Sequence, residues 1–411
     1  MCMISKHLWS TRHLPADTSI AAARTTLAEV GLLFLKLGAI SFGGPAAHIA
    51  LMETETVQKR KWLSREYFMD LLAATNIVPG PNAVEMASHI GFVRAGWPGL
   101  FVGGASFILP AALITLAFGW LYVTYGTLPQ AQALFYGLNP AILAIILSAT
   151  YRLGRAAVKN VPLGVLAVAC LAASLTLPVD QAFLLLGAGA VSLLLDRAGK
   201  INFSPPSLPG GAKTALLLPL VLSLNALQSL LDDGRLVQLG LFFLKVGALL
   251  FGSGMVLFAF IQHDIVNRLG WLTQQQLVDA IAVGQMTPGP VLSSATFIGY
   301  LVAGTSGALV ATAAVFLPSF GIIALLGPWA PRLRRVAAIQ SFLKGVNAAV
   351  VAAVLSIAIK MALSSIVDGW TAAICLLGLI ALLRFKAETW WLVVGGGAVG
   401  LFIHWAAVLF G

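Results

Sequence analysis

Two lysines occupy equivalent places in otherwise apolar runs: Lys36 within Phe34-Leu35-Lys36-Leu37-Gly38-Ala39, and Lys245 within Phe243-Leu244-Lys245-Val246-Gly247-Ala248. A lysine at membrane depth costs a few kcal/mol and usually faces a cavity or a partner. One in each half, near a pseudo-two-fold axis, the pair could hold a dianion; the plainer reading is that each snorkels to the interface. Two Pro-Gly-Pro turns, Pro79-Gly80-Pro81 and Pro288-Gly289-Pro290, form a second candidate element. A helix starting after each turn would aim free N–H groups and a positive dipole end at a polar cavity, an anion site. The glycine breaks at Gly43, Gly44 and Pro45, and at Gly252, would line the same cavity, because interrupted helices at membrane depth are tolerated there. Asn76 and Gln285, Arg94, and the matched Asn139 and Asn347 could add donors.

Carboxylates supply the groups that could couple anion movement to protons. Asp70 and Asp279 sit at matching places and could pair a lysine or relay a proton, with capping as the alternative. Glu85 and His89 are spaced i, i+4 and so share a helix face. Their second-half counterparts are a hydroxyl and an apolar residue, and this asymmetry makes Glu85 and His89 coupling candidates.

These residues are positioned by an internal repeat. The offset 243 − 34 = 209 also maps Phe42-Gly43 onto Phe251-Gly252, Trp62-Leu63 onto Trp271-Leu272, Asp70 onto Asp279, and one Pro-Gly-Pro onto the other. After one deletion the offset is 208, pairing Ala95-Gly96 with Ala303-Gly304, Pro110 with Pro318, and Gly137 and Asn139 with Gly345 and Asn347. Chance can match apolar stretches, but not Trp, Asp, Lys and Pro-Gly-Pro in one register. Each unit reads as a glycine-interrupted apolar segment, a short amphipathic helix (about Ser64–Asn76; Thr273–Gln285), the Pro-Gly-Pro turn, and further apolar helices. The expected organisation is a polar tail (1–26), a first membrane repeat (27–195), a Pro/Gly-rich linker (196–213) and a second membrane repeat (214–411).

Composition sets the class. The 411 residues are 59% hydrophobic and 10% charged, against roughly 25% charged in soluble domains. Apolar stretches such as Leu217–Leu231, Leu236–Phe260 and Ala308–Leu326 are long enough, or nearly so, to cross about 30 Å of hydrocarbon as helices. Strands of a barrel would alternate polar and apolar residues. The expectation is therefore an all-α polytopic membrane protein of about 10–14 membrane segments, some broken or re-entrant. Lysine and arginine fall in short inter-segment stretches, so the net charge of +10 reads as membrane topology and not as nucleic-acid binding. Lys59, Arg60, Lys61 and Arg65 follow the first segment of half one, where half two has only Arg268; at the next loop the bias reverses, with Arg332, Arg334 and Arg335 in half two. Matching loops thus face opposite sides, the pattern of an inverted-topology repeat. Lys6, Arg12 and Arg24 also make the tail cytoplasmic, which conflicts with a first segment that crosses fully and favours a re-entrant one. Cys2, Cys170 and Cys375 have no metal-like or redox-like spacing.

The Phe42-Gly43-Gly44-Pro45 element, the Trp-Leu pair, Pro79-Gly80-Pro81 and their second-half echoes resemble the chromate ion transporter family, from about Thr26 to the end and at the length of its long, two-domain members. The resemblance implies a bacterial inner-membrane, multi-pass protein that exports chromate from the cytoplasm and confers chromate resistance, driven by the membrane potential or a proton gradient. It also places the more strongly patterned functional region in the first half. Chromate and sulfate are nearly isosteric tetrahedral dianions, so sulfate or another oxyanion is the alternative cargo; a polytopic enzyme acting on a lipid phosphate is a more distant one. No P-loop, flavin or haem motif is visible, so neither ATP hydrolysis nor chromate reduction is expected, and no cofactor or metal is called for. The expected partners are the anion and the lipid bilayer, with a homodimer as an option.

Overall fold

The structure is a computed structural model that describes residues 25–75, 79–197, 234–326 and 336–410. The expected tail and linker lie almost wholly outside these residues, as do Asn76, Leu217–Leu231, and Arg332, Arg334 and Arg335. The described residues form fourteen α-helices, seven in each half. In half one they are α1 (Leu27–Ile40), α2 (Pro45–Glu53), α3 (Arg65–Thr75), α4 (Asn82–Tyr125), α5 (Pro129–Ala157), α6 (Val161–Thr176) and α7 (Gln181–Arg197). In half two they are α8 (Arg235–Leu249), α9 (Val256–Ile261), α10 (Gln274–Met286), α11 (Ser294–Leu326), α12 (Ala337–Ser365), α13 (Gly369–Arg384) and α14 (Thr389–Phe410). Each helix of half one recurs seven places later. The register persists to the end: Asn160 and Asp368 are matching N-caps, and α7 and α14 begin at matching residues.

The first segment of each half is re-entrant. Thr26 and Glu29 form a capping box that starts α1, and Gly43 and Gly44, both at positive φ, stop it about 20 Å later. Pro45 then opens α2, where a proline costs no hydrogen bond. The chain turns back, since Trp62 ends beside the start of α1: Arg94 Nε donates to Thr25 Oγ1 at 2.7 Å and Arg94 Nη1 to the Trp62 carbonyl at 3.4 Å. This removes the conflict over the tail, because residues 25 and 62 lie at one end of the molecule. The stretch Leu236–Phe260, apolar enough to span as one helix, is instead broken between Leu250 and Met255 by the same glycine element.

α4 and α11 are hairpins. At Ala95-Gly96 and Ala303-Gly304 the backbone leaves helical geometry, with Gly96 at φ +66° and Gly304 at φ +64°. The short arm lies antiparallel on the long one, with Gly91 packed on Gly99 and Gly299 on Gly307 at distances that exclude a Cβ. Left-handed backbone costs a side chain about 1–2 kcal/mol. Gly96→Val and Gly304→Val should each lower the thermal midpoint in detergent by several degrees, whereas Gly321→Ala, whose added Cβ would meet no other group within 4 Å, should not.

The long arm of α4 then runs about 43 Å from Gly96 to the opposite end, and α5 returns. Lys59, Arg60, Lys61 and Arg65, and then Arg152, Arg155 and Lys159, therefore share one end, called here the basic end. Half two is inverted. Tyr122, at the far end of α4, bonds Asp279 of α10, and Tyr136, near the start of α5, bonds Asp368; Asp196, at the end of α7 that reaches the basic end, bonds Ser341 at the start of α12. Among the described residues, five helices are long and apolar enough to cross a membrane, with three shorter apolar ones beside them. Helices α5, α6 and α7 pack across the halves on α12 and α14, and α4 and α11 pack together at the centre, flanked by α1 and α8.

Candidate functional site

The two Pro-Gly-Pro turns and the two breaks meet through a reciprocal pair of backbone hydrogen bonds. Gly80 N–H donates to the Leu250 carbonyl at 2.7 Å, and Gly289 N–H donates to the Ser41 carbonyl at 2.8 Å. Ser41 and Leu250 are themselves repeat mates (41 + 209 = 250), so each half closes the break of the other. Ser41 and Leu250 are the extended C-cap residues of α1 and α8, whose carbonyls have no helical partner. Only glycine can serve at the centre of these turns: Gly80 has φ +148° and Gly289 φ +95°. A Cβ on Gly80 would come within 2.2 Å of Glu85 Oε1 and 2.7 Å of Ser319 Oγ. The glycine N–H groups are thus spent on holding the halves together, and the helix starts after Pro81 and Pro290 remain as the donors expected from the sequence.

Glu85 stands against that crossing. It is fully buried, and neither carboxyl oxygen has a hydrogen-bond partner. Ser319, Ser41 and Ser88 are also buried close by without side-chain hydrogen bonds, and His48 packs edge-on to Phe107 at 5.7 Å. His89, four residues after Glu85, is buried on the same helix. An ionised carboxylate cannot persist unpaired in such surroundings, so Glu85 must hold a proton or meet a cation. Its repeat mate is Ser294, so this chemistry belongs to half one alone.

The lysines are not brought together. Lys36 is half-exposed (55%) and reaches Glu55 at 3.5 Å, a carboxylate also approached by Lys59 (2.9 Å) and Arg60 (3.7 Å). Lys245 is 1% exposed and is held between Asp264 (2.6 Å) and Asp180 (3.0 Å). Helical side chains lean toward the N-terminus, which draws each ammonium away from the crossing toward its own end. Asp70 is exposed. Asp279 is buried and accepts from Tyr122 (2.7 Å), Gln275 (2.9 Å) and Asn139 (3.2 Å). At the breaks, Gly43, Pro45 and Gly252 are exposed and Gly44 is half-buried, and Gly252 faces Asn347. Pro79, Gly80 and Pro81, and Pro288, Gly289 and Pro290, surround the crossing.

Several partners were missed by reading the sequence. Glu55 and Asp264 fall on the same 209 offset as the lysines they pair, a signal that was present. Asp180 and Glu388 likewise match at 208. Ser319 and Ala111 match as well, each against the other half's Pro-Gly-Pro glycine.

Broken helices, paired in opposite senses around a buried polar crossing, define a multi-pass membrane transport protein of the inverted-repeat kind. The family model described as "Chromate transporter" matches twice, over residues 28–193 and 237–401, and the chain belongs to the chromate transporter family. It is 36% identical over 398 residues to the chromate transport protein of Cupriavidus metallidurans, covering 94% of this chain and 96% of that one. It is 34% identical to a probable chromate transport protein of Synechococcus elongatus (87% and 89% covered). The chromate transport protein of Pseudomonas aeruginosa is 32% identical (80% and 79%). No solved structure matches the chain.

Proposed function

We propose that this chain is a secondary transporter that exports chromate from the cytoplasm across the bacterial inner membrane, thereby conferring chromate resistance. The observation that carries the reading is the reciprocal pair of Pro-Gly-Pro hydrogen bonds with the unpartnered Glu85 beside it. A tetrahedral dianion would pass this crossing, touching the first turns after Pro81 and Pro290 and the breaks at Gly43, Gly44, Pro45 and Gly252. Lys36 and Lys245 act toward the two ends, as attractors for the anion on entry and exit. The basic end faces the cytoplasm by the positive-inside rule, so Lys36 is on the loading side. Glu85 is the coupling group: while ionised it repels the dianion, and with a proton bound it admits it. His89 and Asp279 are placed to pass that proton along half one and toward the opposite end.

Radiolabelled chromate uptake into everted membrane vesicles tests export. Energised everted vesicles should accumulate chromate, and an uncoupler should abolish the accumulation. Vesicles that accumulate none would exclude export, and vesicles that accumulate sulfate but not chromate would exclude the chromate assignment.

A further inference from the structure

The inverted repeat is symmetric in sequence but not in conformation, and the departures all fall one way. At the opposite end, half two docks on half one: α10 packs on α5 and α9 on α7, Asp279 accepts from Tyr122 and Asn139, and Lys245 bonds Asp180; within half two, α9 also packs on α12. At the basic end the mirror contacts are absent among the described residues. α2 makes no comparable packing on α5, nor α3 on α12. Asp70 is exposed, and the ion pairs of Lys36 are confined to its own half, at Glu55. Glu388, the mate of Asp180 (180 + 208 = 388), is exposed. Ala50 is exposed while its mate Ala259 (50 + 209 = 259) is 1% exposed.

We propose that Tyr122, Asn139 and Asp180 of half one, with Lys245 and Asp279 of half two, form a gate that closes the opposite end. Lys36, Asp70, Asn347 and Glu388 form the mirror gate at the basic end, open in this structure. Two halves of like sequence can exchange conformations at little cost, because each arrangement is already known to be adopted by one of them. In the exchanged state Lys36 reaches Glu388, Asn347 reaches Asp70, and α2 buries Ala50 against α5. Meanwhile Lys245 parts from Asp180 and α9 uncovers Ala259. The crossing hydrogen bonds at Gly80 and Gly289 lie on the symmetry axis and are kept in both states. Cargo is thus released from one end only after the other has closed. The assignment rests on the chain being a transporter but not on chromate being its cargo.

Asp180 and Glu388 are loop carboxylates away from the crossing, so Asp180→Asn and Glu388→Gln perturb one gate each. The readout is maleimide labelling in membranes of Ala50→Cys or Ala259→Cys, with Cys2, Cys170 and Cys375 replaced by serine. Both reporters change little volume, and full-length protein in the membrane fraction reports insertion. Asp180→Asn should slow labelling at position 50 and speed it at position 259, each by about fivefold or more. Glu388→Gln should shift both the other way. Labelling that is unchanged at both positions, or that rises at both together as in local unfolding, would overturn the gates. Because no chromate is added, a failed uptake assay and a failed gate are read separately.

Discussion

Lys245→Ala should destabilise the protein by about 3–5 kcal/mol, the cost of leaving buried carboxylates without their cation. Lys36→Ala should cost no more than about 1 kcal/mol, as exposed ion pairs do. The two lysines are repeat mates with the same neighbours in sequence, so only their surroundings can separate them. Lys245 lies between Asp264 and Asp180 and is 1% exposed, and Arg268 also approaches Asp264, at 3.4 Å. Removing the ammonium leaves Asp180 without a cation and leaves the buried Asp264 with only Arg268 and His263, in a closed interface between the halves. Lys36 leaves behind Glu55, which Lys59 and Arg60 continue to neutralise. Thermal melting of the purified protein in detergent measures the difference. Restoring charge balance provides a control: Lys245→Met combined with Asp180→Asn and Asp264→Asn should recover most of the loss. Equal melting points for the two single alanine variants would remove the buried network as a source of stability.

Glu85→Gln should make chromate accumulation independent of pH while leaving its dependence on the membrane potential in place. A carboxylate and a dianion about 6 Å apart repel by roughly 5 kcal/mol at an effective dielectric of about 20. The ionised form therefore excludes the anion by several orders of magnitude, and a proton must arrive before it. Glutamine copies the protonated side chain in shape and charge but cannot release the proton, so the anion no longer needs a proton to enter. In energised everted vesicles, which are positive inside, the variant should still accumulate the dianion on the membrane potential, at a rate that no longer falls as pH rises. A fall in rate with rising pH that the variant keeps would show that Glu85 does not carry the proton. Glu85→Asp, which keeps the acid but shortens its reach to the Gly80 turn, should retain the pH dependence.

Much of the architecture was legible because inserted glycines, prolines and charges recur in one register. The loop charges alone pointed to opposed halves, and the charged tail pointed to a re-entrant first segment. What could not be read was how each matched group is used. Lys36 and Lys245 look alike in sequence, yet Asp180, which separates their fates, lies 65 residues from Lys245 and in the other half. Asp70 and Asp279 diverge for the same reason, since Tyr122 and Asn139 are brought to only one of them. The crossing at Gly80 and Gly289 is made of main-chain atoms, which leave no side-chain signature beyond the need for glycine. The helical hairpin at Ala95-Gly96 appeared in the sequence as a matched dipeptide with no indication that the chain reverses there.

The reciprocal bonds at Gly80 and Gly289 also constrain how the protein is made. When half one has left the ribosome, the Gly80 N–H and the Ser41 carbonyl are at membrane depth with no water to satisfy them. Their partners are in residues not yet synthesised. Half one must therefore wait in an unfinished form, held by the insertion machinery or near the interface, until Leu250 and then Gly289 arrive. Only a second half threaded in the opposite sense presents those two groups at the right depth. Correct orientation is thereby checked when the second Pro-Gly-Pro turn arrives, and a wrongly threaded chain is left with unpaired backbone.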